Sequence, residues 1–405
     1  MNFLKSALTI ILCIGVLFCS ALSVSAATVS SECDISDLEI PIDTAVTDAP
    51  IGTTLDIKAK SAILMEKNSG RILYEMNADE QLPPASITKI MSLLLVMEAI
   101  DRGDMSLEDV ISASEHACSM GGSQIWLEPG ETMTVDDLLK AAVIASANDA
   151  TVALGEHIAG SEEGFVALMN ERAKALGMTN TNFVNATGLD AEGHISSAHD
   201  VAVMSAELIK HPLIKNYSTV WMDTLRNGES ELVNTNKLVR FYNGTTGLKT
   251  GTTSGAGYCL SATAERDGLE LVAVIMSGDT SADRFEGAKK LLDFGFANYA
   301  YSNLSPEIED SATVNVKNGV KSTAKISAKD SLGVLLKKSD AKNITQRISI
   351  NENITAPLKK GDKIGTVEFY NNDEQVGVLD ITSAENVDKM TFWTALSWIF
   401  SGLFK

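Results

Sequence analysis

Residues 82–100, LPPASITKIMSLLLVMEAI, join two prolines to a run that is apolar on nearly every side. Such a run predicts a long buried helix, because a surface helix keeps a polar face. The prolines fit a helix start, where a missing N–H costs nothing. They place Ser86 in or near the first turn, with Lys89 three positions on and on the same face. Lys89 is flanked by Ile87, Ile90 and Met91. Desolvation disfavours an ammonium there and lowers its pKa. A neutral amine within reach of a serine hydroxyl accepts its proton and makes a nucleophile without histidine. The unpaired N–H groups of a first turn point at whatever binds, which serves an oxyanion. The pair also has a plain reading, a capping serine and a lysine that snorkels to water. On this pair alone the plain reading is preferred, because S-x-x-K occurs often by chance.

Outward from it, IKAKSAILMEKNSGRILYEMNADE predicts two strands turning at Asn68-Ser69-Gly70. Residues 100–220 are mostly helical in pattern. Thr134 and Asp137 form a capping-box-like start for TVDDLLKAAVIAS, ATVALGEHIAG continues after a break at SAND, and GFVALMNERAKALG stops at Gly177. From about residue 231 strands return, with a tight turn at Asp267-Gly268, and DRFEGAKKLLDFGFANY closes the region as a helix. Strands at both ends of a helical block predict one sheet built from both, with helices packed on it. Residues 303–388 alternate with period two and predict a separate small all-β domain, in which KIGTVEFYNNDEQVGVLDITSA is a hairpin.

Two further elements bear on Ser86 and Lys89. SANDA supplies Ser146 and Asn148 at the break between helices, where a hydroxyl and an amide can face one cleft; alone it is a turn and a cap. GLKTGTTSGAG puts Lys249, Thr250 and Gly251 on a strand. A lysine and a hydroxyl bind a carboxylate, and a glycine lets a substrate backbone lie close. The serines are 60 positions apart and Lys249 follows Ser146 by 103. S-x-x-K, S-x-N and K-T-G in this order are the signature of penicillin-binding proteins and class A β-lactamases.

With PPASITKIMS, SANDA and GLKTGTT in place, and NATGLDAEGHISSAHDVAVMS between the last two, the chain resembles the low-molecular-mass penicillin-binding proteins that are serine-type D-Ala-D-Ala carboxypeptidases, peptidase family S11. The resemblance runs from about residue 55 to the C-terminus. It implies an α+β catalytic domain of β-lactamase/transpeptidase type over 56–302, with a central antiparallel sheet flanked by helices, followed by the all-β domain. It implies Ser86 as the acylated nucleophile, Lys89 as its base and Ser146 as an aid to proton transfer. Asn148 would orient the substrate, and Lys249 and Thr250 would hold the terminal carboxylate beside Gly251. The N–H groups of Ser86 and Thr252 would form the oxyanion hole. No cofactor or metal is implied. The expected partners are the peptidoglycan pentapeptide stem and β-lactams that acylate the serine. Ser197 and Asp200 in HISSAHD also fit a capping box.

The ends of the chain speak to location. Residues 1–26 have one lysine, an apolar stretch and small residues before Ala26, the pattern of an export signal. Residues 27–55, acidic and rich in Ser and Thr, predict a flexible lead-in. Residues 389–405, with MTFWTALSWIFSGLFK, are too short for an ordinary span and predict an amphipathic helix lying on a membrane surface. The expected site of action is the outer face of the cytoplasmic membrane. A net charge of −20 argues against a nucleic-acid partner. Beyond the leader, Cys33, Cys118 and Cys259 are too few for a disulfide framework. The five histidines lack metalloprotease spacing, and His194 and His199 fit structural roles. A class A β-lactamase would need a deacylating glutamate in E-x-x-L-N, which is not found between Ser146 and Lys249. The same three motifs would also suit D,D-endopeptidase action on cross-links, or a catalytically silent protein of this fold that binds the wall.

Overall fold

The computed structural model describes residues 55–309, 311–328, 331–340 and 343–403. The expected leader, the lead-in up to residue 54, and Cys33 lie outside these residues. The central sheet has five strands: β1 (Ala59–Glu66), β2 (Ile72–Met76), β3 (Thr245–Thr253), β4 (Gly257–Arg266) and β5 (Leu269–Gly278). Their order is β2-β1-β5-β4-β3, all antiparallel. The predicted turns are present, and β1 pairs with β5 from Ala59 opposite Gly278 to Glu66 opposite Leu271. Strands from both sides of the helical block therefore share one sheet, as expected.

The middle strand explains why the sheet is covered on both faces. LELVAVIMSG in β5 is buried at every position, the pattern of a strand with no solvated side. Val272, Val274 and Met276 pack with Ile63 and Met65 into the helical core. The alternate residues Leu271, Ala273 and Ile275 meet Phe285, Ala288, Leu291 and Phe296 of a helix over Ser281–Asn298.

The 82–100 stretch departs from expectation at its start. Its helix, α1, runs Lys89–Asp101, and Ser86 lies in a tight 3₁₀ turn over Ala85–Thr88. Ala85 has φ +51°, a left-handed conformation that an α-helix does not contain. Downstream, α1 is the predicted core helix, with nine of its 13 residues buried. The helix Val135–Lys140 is capped by Thr134, whose hydroxyl accepts the Asp137 N–H at 3.1 Å, and passes into a π-turn over Ala141–Ala145. A second long helix, α2, spans Asn148–Ala159. Ser197 caps α3 (Ala198–Leu208) by accepting the Asp200 N–H at 3.2 Å. The Ser281–Asn298 helix is α4.

Beyond α4, five strands form a second antiparallel sheet, in which Lys363–Asn371 and Glu374–Ser383 make the predicted hairpin. Ala324, Ile364, Val367 and Ile381 fill its core. A last helix, α5, covers Phe392–Leu403 with Phe392, Trp393, Trp398, Ile399 and Phe400 exposed. Among the described residues, no helix is long and apolar enough to cross a membrane.

Leu271 is fully buried between β5 and α4. Leu271→Ala is expected to destabilise the protein by about 2–5 kcal/mol, read as a lower urea midpoint, whereas Val378→Ala, at a position 39% exposed, leaves the midpoint nearly unchanged.

Candidate active site

The 3₁₀ turn and the first residue of α1 bring Ser86 and Lys89 together. Lys89 Nζ lies 3.0 Å from Ser86 Oγ and donates to the Thr187 carbonyl at 2.8 Å. The side chain is entirely buried, so snorkelling is excluded. Burial, and next the Lys249 charge, hold the amine well below the ordinary lysine range; Asp149 pulls it partly back. A neutral amine that gives one N–H to Thr187 O can aim its lone pair at the Ser86 hydroxyl. The same contact then carries the hydroxyl proton toward nitrogen.

Lys249, Thr250, Gly251 and Thr252 lie on β3, the edge strand of the sheet next to the Ser86 turn. A Cβ at Gly251 would come within 2.8 Å of the Ser86 nitrogen and 3.0 Å of the Ile87 nitrogen. Only glycine lets strand and turn approach this closely. The Lys249 side chain is buried, and its one hydrogen bond among the described residues is a long one, 3.5 Å, to Thr250 O. Burial and the nearby Arg284 push its amine down to about 7. Thr250 Oγ1 donates to Thr235 Oγ1 at 2.7 Å.

Ser146 ends the π-turn with φ +64° and is nearly buried. Asn148 opens α2, donating its N–H to Ser123 O at 2.7 Å and its Nδ2 to Gly121 O at 2.6 Å. Its Oδ1 is buried without a hydrogen-bond partner among the described residues. A buried amide oxygen left in that state is costly unless something binds it. Thr235 ties this turn to β3, because its N–H donates to Ile144 O at 3.2 Å while its hydroxyl accepts from Thr250.

Several supporting groups were not foreseen. Thr187 supplies the carbonyl for Lys89, and a Cβ on the next residue, Gly188 (φ +86°), would collide with Ala85 O at 1.8 Å. Asp190 then clamps this loop to the end of β3, accepting from Thr253 Oγ1 at 2.5 Å and from the Gly255 N–H at 3.3 Å. Arg284 of α4 reaches beneath β3 and donates Nη1 to Gly251 O and Thr252 Oγ1, both at 2.9 Å. It falls on the buried stripe with Ala288, Leu291 and Gly295, so an arginine at an inward helical position was the available signal. Thr235 carried none. His194 is structural: Nδ1 accepts the Val184 N–H at 2.9 Å, leaving Nε2–H for Thr88 Oγ1 at 2.8 Å, and burial takes its pKa down to about 4. A cavity of about 490 Å³ lies beside the turn, lined by Pro83, Ala85, Asp190, His194 and Ser254, and does not include Ser86 or either lysine.

An antiparallel sheet flanked by helices, with a serine hydroxyl and a buried lysine paired under its edge, defines the class as a serine hydrolase. The sequence profile described as D-alanyl-D-alanine carboxypeptidase matches residues 44–280, and that of the penicillin-binding protein 5 C-terminal domain matches 307–389. The D-alanyl-D-alanine carboxypeptidase DacF of Bacillus subtilis is 43% identical over 84% of this chain and 88% of its own. Penicillin-binding protein 5 of Haemophilus influenzae has a similar structure, with a TM-score of 0.71 and 31% identity, covering 83% of this chain and 99% of that one. The ampicillin-bound form of penicillin-binding protein D2 from Listeria monocytogenes matches 60% of this chain and all of that one, at a TM-score of 0.55 and 34% identity. The chain belongs to the D-alanyl-D-alanine carboxypeptidase family of low-molecular-mass penicillin-binding proteins.

The buried amine of Lys249 has a consequence for stability. Between about pH 7 and roughly pH 10, the unfolded chain holds a proton on Lys249 that the folded chain has released. Raising the pH within this window makes that extra bound proton costlier for the unfolded chain, so it favours folding. Relative to Lys249→Met, the wild type is expected to gain up to about 1.4 kcal/mol of stability per pH unit across it. Chemical denaturation of both proteins at pH 7, 8 and 9 checks this; parallel curves contradict it.

Proposed function

We propose that Ser86 is the nucleophile of this serine D-Ala-D-Ala carboxypeptidase and Lys89 the base that activates it. The observation that carries the assignment is the desolvated Lys89 amine, 3.0 Å from Ser86 Oγ and fixed by Thr187 O. The Ser86 proton passes to Lys89 Nζ as Oγ attacks the carbonyl carbon of the penultimate D-Ala. The Ser86 and Thr252 N–H groups stabilise the oxyanion. Collapse breaks the C–N bond, and the proton leaves on the amine of the terminal D-Ala with help from Ser146. Water then adds to the acyl-serine, Lys89 taking its proton, and the shortened stem departs as Ser86 is restored. Lys249 and Thr250 hold the terminal carboxylate, Gly251 gives the substrate backbone room, and Asn148 orients an amide upstream of the scissile bond. The unpartnered Asn148 Oδ1 and the under-bonded Lys249 amine support these roles.

β-Lactams are proposed to acylate Ser86 along the same path; the ampicillin complex of the Listeria relative supports this. We further assign residues 1–26 to an export signal, 27–55 to a lead-in, 56–302 to the catalytic domain and 303–388 to the β domain. Residues 389–405 are assigned to a helix that holds the enzyme on the outer face of the cytoplasmic membrane. The exposed Phe392, Trp393, Trp398, Ile399 and Phe400 support that attachment.

A fluorescent penicillin should label the wild type and fail to label Ser86→Ala; equal labelling of both removes the assignment. Mass spectrometry of a synthetic pentapeptide stem should show the loss of one alanine with the wild type only. Deletion from Met390 should move the protein from the membrane pellet to the supernatant, and a truncated protein that still sediments with membranes contradicts the anchor.

A further inference from the structure

Trp126 is a bulky residue in a conformation that bulky residues avoid. Its φ is +60° and the residue is 76% exposed. A left-handed tryptophan is a genuine outlier, and such conformations persist only where the surroundings impose them. Here the surroundings are explicit. The buried Asp149 carboxylate accepts the N–H groups on both sides, from Ile125 at 3.1 Å and from Leu127 at 3.1 Å. Arg226 donates to Ile125 O at 2.9 Å and is itself held by Glu131 at 2.8 Å. The backbone is gripped on either side of Trp126 while the indole stands in water.

The grip comes from the active-site helix. Asp149 follows Asn148, and Asn148 holds the same loop through Gly121 O and Ser123 O. A Cβ at Gly122 would meet Asn148 Nδ2 at 2.8 Å and Leu189 at 3.6 Å, so the loop packs around the Asn148 side chain and against the Leu189 loop. The substrate in its proposed pose has its carboxylate at Lys249, its scissile carbonyl at Ser86 and an upstream amide at Asn148. The loop that carries Trp126 is held by Asn148 itself, so it borders the Asn148 end of the site, where on this pose the stem preceding D-Ala-D-Ala continues.

We infer that Trp126 is a specificity-determining residue: its indole is the platform on which the stem segment preceding D-Ala-D-Ala packs. The ligand chemistry is an aliphatic peptide segment lying on a flat apolar face, carried on a backbone that is fixed on both sides before binding. The inference rests on the proposed placement of D-Ala-D-Ala, which an acyl-D-Ala-D-Ala lacking the upstream stem tests by itself.

The full chain and its Trp126→Ala, Trp126→Phe and Trp126→Gly variants would be assayed on three substrates: N-acetyl-D-Ala-D-Ala, the free pentapeptide, and the pentapeptide carrying N-acetylmuramic acid. Trp126→Ala should lower kcat/KM for the free pentapeptide about tenfold, mainly through KM, and leave N-acetyl-D-Ala-D-Ala unchanged. Trp126→Phe should recover most of the loss. Trp126→Gly, which accepts a positive φ without penalty, should show the same pentapeptide defect with an unfolding midpoint at or above that of the wild type. Equal losses on N-acetyl-D-Ala-D-Ala and pentapeptide, no loss, or a loss confined to the muramyl substrate each overturn the inference. A wild type that releases alanine from none of the three overturns the substrate placement on which it rests.

Discussion

Everything in this candidate active site depends on keeping one amine out of water. Lys89 opens a helix buried on nearly every side, and its only polar contacts among the described residues are Ser86 Oγ and Thr187 O. An isolated ammonium in such a place is expensive, and a protein usually answers by neutralising the group rather than bearing the charge. The helix that serves as the hydrophobic centre of the domain thus also lowers the proton affinity of the amine proposed as the base. Moving the amine to the surface would remove the reason for its lowered proton affinity.

Close approach follows from the same constraint. A buried lysine needs acceptors brought to it, and here one is a side-chain oxygen on a tight turn and the other a backbone carbonyl on the loop beside it. That turn is squeezed between β3 and the Thr187–Asp190 loop, with Gly251 on one side and Gly188 on the other. Neither place has room for a Cβ. The left-handed Ala85 is the local response, and it shortens the α-helix so that Ser86 sits in a 3₁₀ turn. Behind β3, the Glu270 carboxylate binds Thr246 Oγ1 at 2.9 Å, Asn236 binds Gly247 O at 2.9 Å, and Arg284 binds Gly251 O at 2.9 Å. The strand is fixed before and after Lys249, which leaves the Lys249 amine itself nearly unbonded.

Periodicity and spacing made much of this legible. The continuous apolar run of α1, the alternating strands, the Thr134 and Ser197 caps and the three short motifs all express their structure within a few residues. What escaped was decided by contacts across long separations. Nothing local marks Ala85 as left-handed, and the glycines packed against its turn, Gly188 and Gly251, lie more than a hundred residues away. The Thr187 carbonyl has no side-chain signature, and Thr235 sits in an ordinary polar stretch. Arg284 was readable in principle, since its position on a buried stripe contradicts its charge. Nothing in the residues around Trp126 marks it, and its meaning comes only from the Asp149 carboxylate that grips the chain on both sides.

On the proposed roles, the two lysines also make substrate arrival a chemical signal. In the free protein the charge of Lys249 is, after burial, the main influence lowering the proton affinity of Lys89. Lys249 itself titrates at about 7, so its charge is only partly present near neutrality. On the proposed roles, a bound carboxylate favours the Lys249 ammonium and at the same time screens its field at Lys89. The Lys89 nitrogen then becomes the stronger base at the moment when Ser86 must lose its proton, without having been protonated beforehand. On these roles, a base whose proton affinity is held low in the empty site regains it when the carboxylate arrives, which eases the usual conflict between availability and strength. Because the coupling acts through charge, it requires the second lysine to be cationic and close; a neutral donor in its place would hold the carboxylate and lose the signal.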